Sequence, residues 1–136
     1  MSKVCDHTSV GMFVWREGKL LLIERKKFPP GFAVPAGHVD EDTSFEDAAR
    51  RELKEEVGLD ATSLELIHEG RHENPCRRED GTWHYWKVYK VEAIGELKRS
   101  ESETKQAGWY PLEEIKKMED KLEPIMQILF KELKLL

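Results

Sequence analysis

Between Gly37 and Leu59 the chain reads GHVDEDTSFEDAARRELKEEVGL, and the apolar residues Phe45, Ala49, Leu53 and Val57 recur at every fourth position. On a helix of 3.6 residues per turn they form one stripe that must be buried against a partner. Ser44 stands where such a helix is capped and Gly58 where one stops. The same segment packs Glu52, Glu55 and Glu56 into five positions. By helical angle Glu56 falls on the flank of the apolar stripe, with Glu52 beside it and Glu55 next, while Arg50 and Lys54 face the other way. A solvated charged face is the ordinary account of such a run. Carboxylates that lean toward a core, however, cost free energy unless they are paired or metal-bound. Arg51 can reach Glu55 across one turn, which leaves two negative charges uncompensated. Hard oxygen ligands on a rigid helix suit Mg²⁺ or Mn²⁺ rather than zinc.

The remaining elements follow from apolar periodicity and turn residues. Val10 to Trp15 and Lys19 to Arg25 flank Glu17-Gly18 and predict a β-hairpin. A rigid Phe28-Pro29-Pro30-Gly31 loop leads to a short strand over Phe32 to Val34. Leu64 to Glu69 and Trp83 to Ala93 predict two more strands, joined by the polar, turn-rich segment from His72 to Gly81. Trp109-Tyr110 predicts a short strand running into a helix from Leu112 to Met118. A last amphipathic helix is expected over Glu123 to Leu133, where Ile125, Ile128, Leu129 and Leu133 share a face. Strands and helices mixed in this way imply an α/β/α layered domain around a mixed sheet, spanning residues 1–136 as a single domain.

Bulk properties narrow the function. The net charge is -5, which argues against nonspecific binding to nucleic acid or membranes, since both want a basic surface. An anionic substrate must then be met by local basic residues or by metal ions. The chain has no apolar run long enough to span a bilayer and no signal-peptide core, so the cytoplasm is the expected location. In that compartment Cys5 and Cys76 are expected as free thiols. Cys5 with His7, and His72 with Cys76 and His84, lack the paired spacing of a structural zinc site, so zinc is not expected.

Loop, helix and glycine stop together match the pattern Gly-x5-Glu-x7-Arg-Glu-U-x-Glu-Glu-x-Gly-U, where U is a bulky aliphatic residue. Gly37, Arg51, Glu52, Leu53, Glu55, Glu56, Gly58 and Leu59 fit it without a break in spacing. In this the chain resembles the Nudix hydrolases, the MutT-like enzymes that hydrolyse a nucleoside diphosphate linked to another group X. Its length, the hairpin ahead of the box, Phe-Pro-Pro-Gly-Phe leading into it and a late Trp-Tyr-Pro-Leu-Glu-Glu segment extend the likeness over the whole chain. The resemblance implies a Nudix-type α/β/α sandwich and a divalent-metal cofactor, Mg²⁺ or Mn²⁺. It implies a small nucleotide substrate such as a nucleoside triphosphate or an ADP-ribose-type compound. A polynucleotide is not expected. Oligomeric state stays open, a homodimer included.

The resemblance also implies roles for individual residues. Glu55 and Glu56 become the foremost metal ligands, with Gly37 offering its carbonyl. Glu52 is either a further ligand or the general base, and Arg51 orients a glutamate. A catalytic carboxylate from the loop ahead of Trp109 is expected at Glu103, with Glu101 as its neighbour. Arg25 stands where a basic residue meets the substrate phosphates, and Phe28 or Phe32 could stack on a base. Pro75, in the loop after the box, resembles a feature of the ADP-ribose-hydrolysing subgroup. One position departs from the pattern, because Thr43 replaces the first glutamate of the box. Glu41, Asp42 or Glu46 could supply the missing charge. Thr43 and Ser44 could instead serve only to cap the helix, and the alternative function is then a Nudix-fold module that senses a nucleotide with little or no catalysis.

Overall fold

The computed structural model describes residues 3–136 and contains one mixed sheet with helices on both faces. The strands are β1 (Thr8–Arg16), β2 (Lys19–Arg25), β3 (Gly31–Ala33), β4 (Ala36–Gly37), β5 (Asp60–His72), β6 (His84–Ile94) and β7 (Thr104–Pro111). The helices are α1 (Phe45–Val57), α2 (Leu112–Lys117) and α3 (Pro124–Glu132). Along the sheet the order is β3-β2-β1-β6-β5, with β4 paired to β1 and β7 paired to β2. The β1–β6 pair is parallel and the other pairs are antiparallel. Among the described residues no helix is long and apolar enough to cross a membrane.

Alternation along the strands divides the core into two layers. Val10, Met12 and Val14 of β1, Leu21 and Ile23 of β2, and Tyr89 and Val91 of β6 meet Ala49, Leu53 and Val57 of α1. Phe13, Leu20, Leu22 and Val88 meet Ile125, Met126, Leu129 and Phe130 of α3 on the opposite face. The predicted stripe of α1 is therefore its buried face. Leu53 is completely buried within that layer. Leu53→Ala is expected to cost about 3 kcal/mol of unfolding free energy in a denaturant titration, because the surrounding sheet cannot collapse into the space.

The hairpin forms where predicted, with both Glu17 and Gly18 at positive φ (53° and 76°), as its two-residue turn demands. Two strands run longer than their sequence pattern. The Trp109-Tyr110 strand begins at Thr104, because the polar residues before it pair with β2 through Ile23↔Ala107 and Glu24↔Gln106. β5 extends to His72 along β6, although all of its residues are exposed or only partly buried.

Candidate active site

The site grows from the start and the exposed edge of α1. Ser44 caps the helix, its hydroxyl accepting from the Asp47 amide at 3.0 Å. The Thr43 hydroxyl donates to the Asp47 carboxylate. Gly58 closes the helix in a left-handed conformation at φ 74°. Between these caps, Glu52 and Glu56 turn inward while Glu55 stays outside. The Glu55 side chain is 61% exposed, against 16% for Glu52, and Glu56 is buried.

The turn of β4 approaches these carboxylates closely. A Cβ on Gly37 would lie 2.2 Å from the Glu52 carboxyl carbon, so any other residue would displace that side chain. The Ala36 amide donates to Glu56 Oε2 at 3.2 Å. Burial raises the Glu52 carboxyl to about 7. Burial, then the neighbouring Glu52, raises Glu56 well above the usual carboxylate range. Two neighbouring acids, one buried and one largely so, that resist ionisation form an oxygen-rich cradle short of positive charge. A hard divalent cation supplies what it lacks, so the donor set fits one.

Arg51 organises the loop side. Its Nε donates to Asp42 at 2.8 Å, its Nη1 donates to Glu52 at 3.0 Å and Glu55 at 3.1 Å, and its Nη2 donates to the His38 carbonyl at 3.0 Å. Asp42 thus brings a carboxylate to the box arginine from the residue next to Thr43. The departure at Thr43 leaves the loop charged, and Thr43 itself braces the helix start.

One cavity of about 310 Å³ collects these groups. Gly37, Glu52, Glu55, Glu56, Arg51, Arg25 and Glu103 all line it. Arg25 is held by donating from Nε to the Pro29 carbonyl at 3.0 Å, and that nitrogen lies 3.6 Å from the buried Glu123. Burial raises Glu123 to about 7. Glu103 faces Lys27 at 3.5 Å on the rim. Phe32 is the exception among the predicted site residues. It does not line the cavity, because the β2–β3 register turns it into the α3 layer, where it meets Tyr110 edge-on with ring centroids 6.1 Å apart. The aromatic on the lining is Phe28, which is half exposed.

The cavity also holds residues that periodicity does not single out. Arg77 and Arg78 reach it from the β5–β6 connection. Arg78 is anchored bidentately on Asp40 at 2.5 and 2.9 Å. Two adjacent arginines in an otherwise acidic chain were the available signal.

Comparison with known proteins decides the family. The NUDIX domain family model matches residues 6–133. The chain belongs to the Nudix family. An ADP-ribose pyrophosphatase of Methanocaldococcus jannaschii is 31% identical to this Nudix chain over 113 residues, covering 81% of the chain and 64% of that protein. The chain thus spans less than two thirds of that relative's length. A MutT Nudix hydrolase from Burkholderia pseudomallei superposes with a TM-score of 0.69 at 27% identity, covering 79% of this chain and 84% of that one. The Nudix domain of Shewanella oneidensis NrtR, in complex with ADP ribose, shares the fold with a TM-score of 0.76 at 19% identity, covering 98% of this chain and 88% of that one.

Proposed function

We propose that this Nudix protein is a divalent-metal-dependent pyrophosphohydrolase acting on a nucleoside diphosphate linked to a second group, with ADP-ribose the first substrate to try. The observation that carries the reading is the inward-turned Glu52–Glu56 pair set against the Gly37 turn, in a cavity whose other lining includes arginines. Glu52, Glu55, Glu56 and the Gly37 carbonyl would hold the ion. Such an ion would neutralise pyrophosphate oxygens and lower the pKa of the attacking water. Mg²⁺ and Mn²⁺ both suit an all-oxygen donor set.

The chain's own residues divide the remaining work. Arg25, pinned by Pro29, presents its guanidinium to the phosphates, and Arg77 and Arg78 add positive charge from the β5–β6 connection. Glu103 lines the cavity from the loop ahead of Trp109, outside the helix, and it receives the proton of the attacking water. Arg51 positions Glu52 and Glu55 rather than touching substrate. Beside the polar cavity, and sharing Phe28 with it, lies an apolar groove of about 200 Å³ walled by Pro29, Pro30, Pro75, Ile125 and Ile128. It offers the base a dry surface, with Phe28 as the stacking partner.

The test is a panel of ADP-ribose, nucleotide sugars, dinucleotides and nucleoside di- and triphosphates, each incubated with Mg²⁺ or Mn²⁺ in oxygen-18 water. Mass spectrometry then locates the attacked phosphorus. Turnover of one class with label in a phosphate product is the expected outcome. Absence of turnover throughout, with ligand binding indifferent to metal, would instead identify a sensor.

A further inference from the structure

We infer that Cys5, His38, Cys76 and His84 form a second metal site, a tetrahedral Cys2His2 centre for zinc that ties the N-terminal segment and the β5–β6 connection to the loop of the Nudix box. The four come from four parts of the chain: ahead of β1, directly after β4, within the β5–β6 connection, and at the first position of β6. Their ligand atoms nonetheless lie within 4.8 Å of one another. Cys5 Sγ is 3.3 Å from His84 Nε2 and 3.6 Å from His38 Nε2. In a tetrahedron with zinc–sulfur and zinc–nitrogen bonds of about 2.3 and 2.0 Å, the sulfur–nitrogen edge is about 3.5 Å. The two measured edges straddle that value.

The surroundings match those of a ligating set. Asn74 Oδ1 accepts from the Trp86 indole N–H at 3.0 Å, and an indole nitrogen can only donate, so the Asn74 atom is the carbonyl oxygen. That oxygen also lies 3.2 Å from His84 Nδ1, which must therefore carry the proton. The lone pair of His84 is left on Nε2, aimed at Cys5. Fixing a ligand's tautomer through its other nitrogen is the usual outer-shell device of a metal site. Each sulfur also accepts a backbone N–H from two residues on, His7 to Cys5 at 3.3 Å and Arg78 to Cys76 at 3.4 Å. Such donors stabilise thiolates.

The backbone is shaped around the cluster. Cys76 N donates to the Gly81 carbonyl at 2.8 Å, and a Cβ at Gly81 would come within 2.2 Å of Cys76 Sγ, so the loop closes over the sulfur only with glycine there. Cys5 N donates to the Glu79 carbonyl at 2.8 Å, joining the N-terminal segment to that same loop. Soft thiolates with imidazoles select zinc over the hard ion suited to the α1 carboxylates. Of the histidines that sequence proximity suggested, His84 joins the cluster, while His7 stacks on Trp83 and His72 pairs with His68. The fold brings together a different set from the two that sequence proximity offered, because His38 arrives from the far side of β4. The centre sits one residue from Gly37 and next to Arg77 and Arg78, so it fixes two walls of the cavity.

This inference stands apart from the hydrolase reading, because its test reads metal content and spectra, not turnover. Protein isolated under reducing conditions with zinc available is expected to carry one zinc per chain by elemental mass spectrometry. Replacing the zinc with Co²⁺ is expected to give the intense visible absorption of a tetrahedral ion together with sulfur-to-cobalt charge transfer. An oxygen-only site on α1 gives neither. Cys76→Ser, at a half-buried position, is expected to weaken cobalt binding by more than about a hundredfold and to diminish the charge-transfer band. The wild-type measurements do not depend on that variant folding. The proposal is overturned if the wild-type protein holds no zinc and gives only the weak spectrum of octahedral cobalt. It is equally overturned if freshly isolated protein carries a Cys5–Cys76 disulfide, or if Cys76→Ser keeps the full charge-transfer intensity.

Discussion

Glu56→Gln is expected to lower turnover of the best substrate by on the order of 10³-fold, since loss of a metal-ligating charge removes several kcal/mol of transition-state stabilisation. The same substitution is expected to make the ion-free protein more stable above neutral pH. Both effects have one cause. Glu56 is buried and held well above the usual carboxylate range by burial first and then by Glu52, which burial raises to about 7. A carboxyl whose folded pKa is raised favours folding fully below its unfolded value, near 4.5, and that contribution is lost as pH rises through the folded pKa. The ion-free wild-type protein should therefore lose melting temperature between about pH 4.5 and pH 7 and beyond, and Mg²⁺ should restore it. Glutamine cannot ionise, so the variant escapes most of this loss. Thermal melts with and without Mg²⁺ at pH 5 and pH 8 check the pattern. A variant that is less stable than wild type at pH 8 without metal would contradict it.

Arg51→Ala carries the second large effect. The guanidinium satisfies Asp42, Glu52, Glu55 and the His38 carbonyl at once. Its removal leaves the inward Glu52 without its counterion and frees the loop that presents Gly37. A fall in kcat/KM of about 10–100-fold is expected, the range seen when a group that orients metal ligands is lost. A stability loss of roughly 2 kcal/mol should accompany it, as charge-assisted hydrogen bonds disappear. Arg51→Lys should recover little, because an ammonium cannot span four acceptors that a planar fork reaches. Full recovery of kcat/KM by lysine would show that charge alone matters at this position. Steady-state kinetics and denaturant titrations on both variants separate the two contributions.

The legible parts of this molecule are those whose cause is local. The α1 stripe, the Ser44 and Gly58 caps and the inward lean of Glu56 follow from helical geometry within one element, and the structure shows them where the periodicity put them. The β1–β2 hairpin is legible for the same reason. β7 was only half visible, because Lys105 and Gln106 carry no apolar pattern and join the sheet through their pairing with β2. Phe32 and Phe28 could not be told apart from the sequence, since which of them faces the cavity depends on the β2–β3 register. The Asp42–Arg51 contact lies within reach of helix geometry but depends on a loop path. The Arg78–Asp40 pair and the Cys5–His84 contact join residues 38 and 79 positions apart, and no spacing rule anticipates either. Contacts of that kind are set by tertiary structure.

The central claim is that the α1 carboxylates hold a hard divalent ion, and Mn²⁺ binding followed by electron paramagnetic resonance tests it most directly. With wild-type protein, the free Mn²⁺ signal is expected to fall on titration. The affinity is expected to climb as pH rises through about 7, where Glu52 gives up its proton. Glu56→Gln is expected to leave the Mn²⁺ signal nearly as strong as in buffer. Wild-type protein that leaves Mn²⁺ free at every pH, or a Glu56→Gln variant that binds it equally well, would contradict the account.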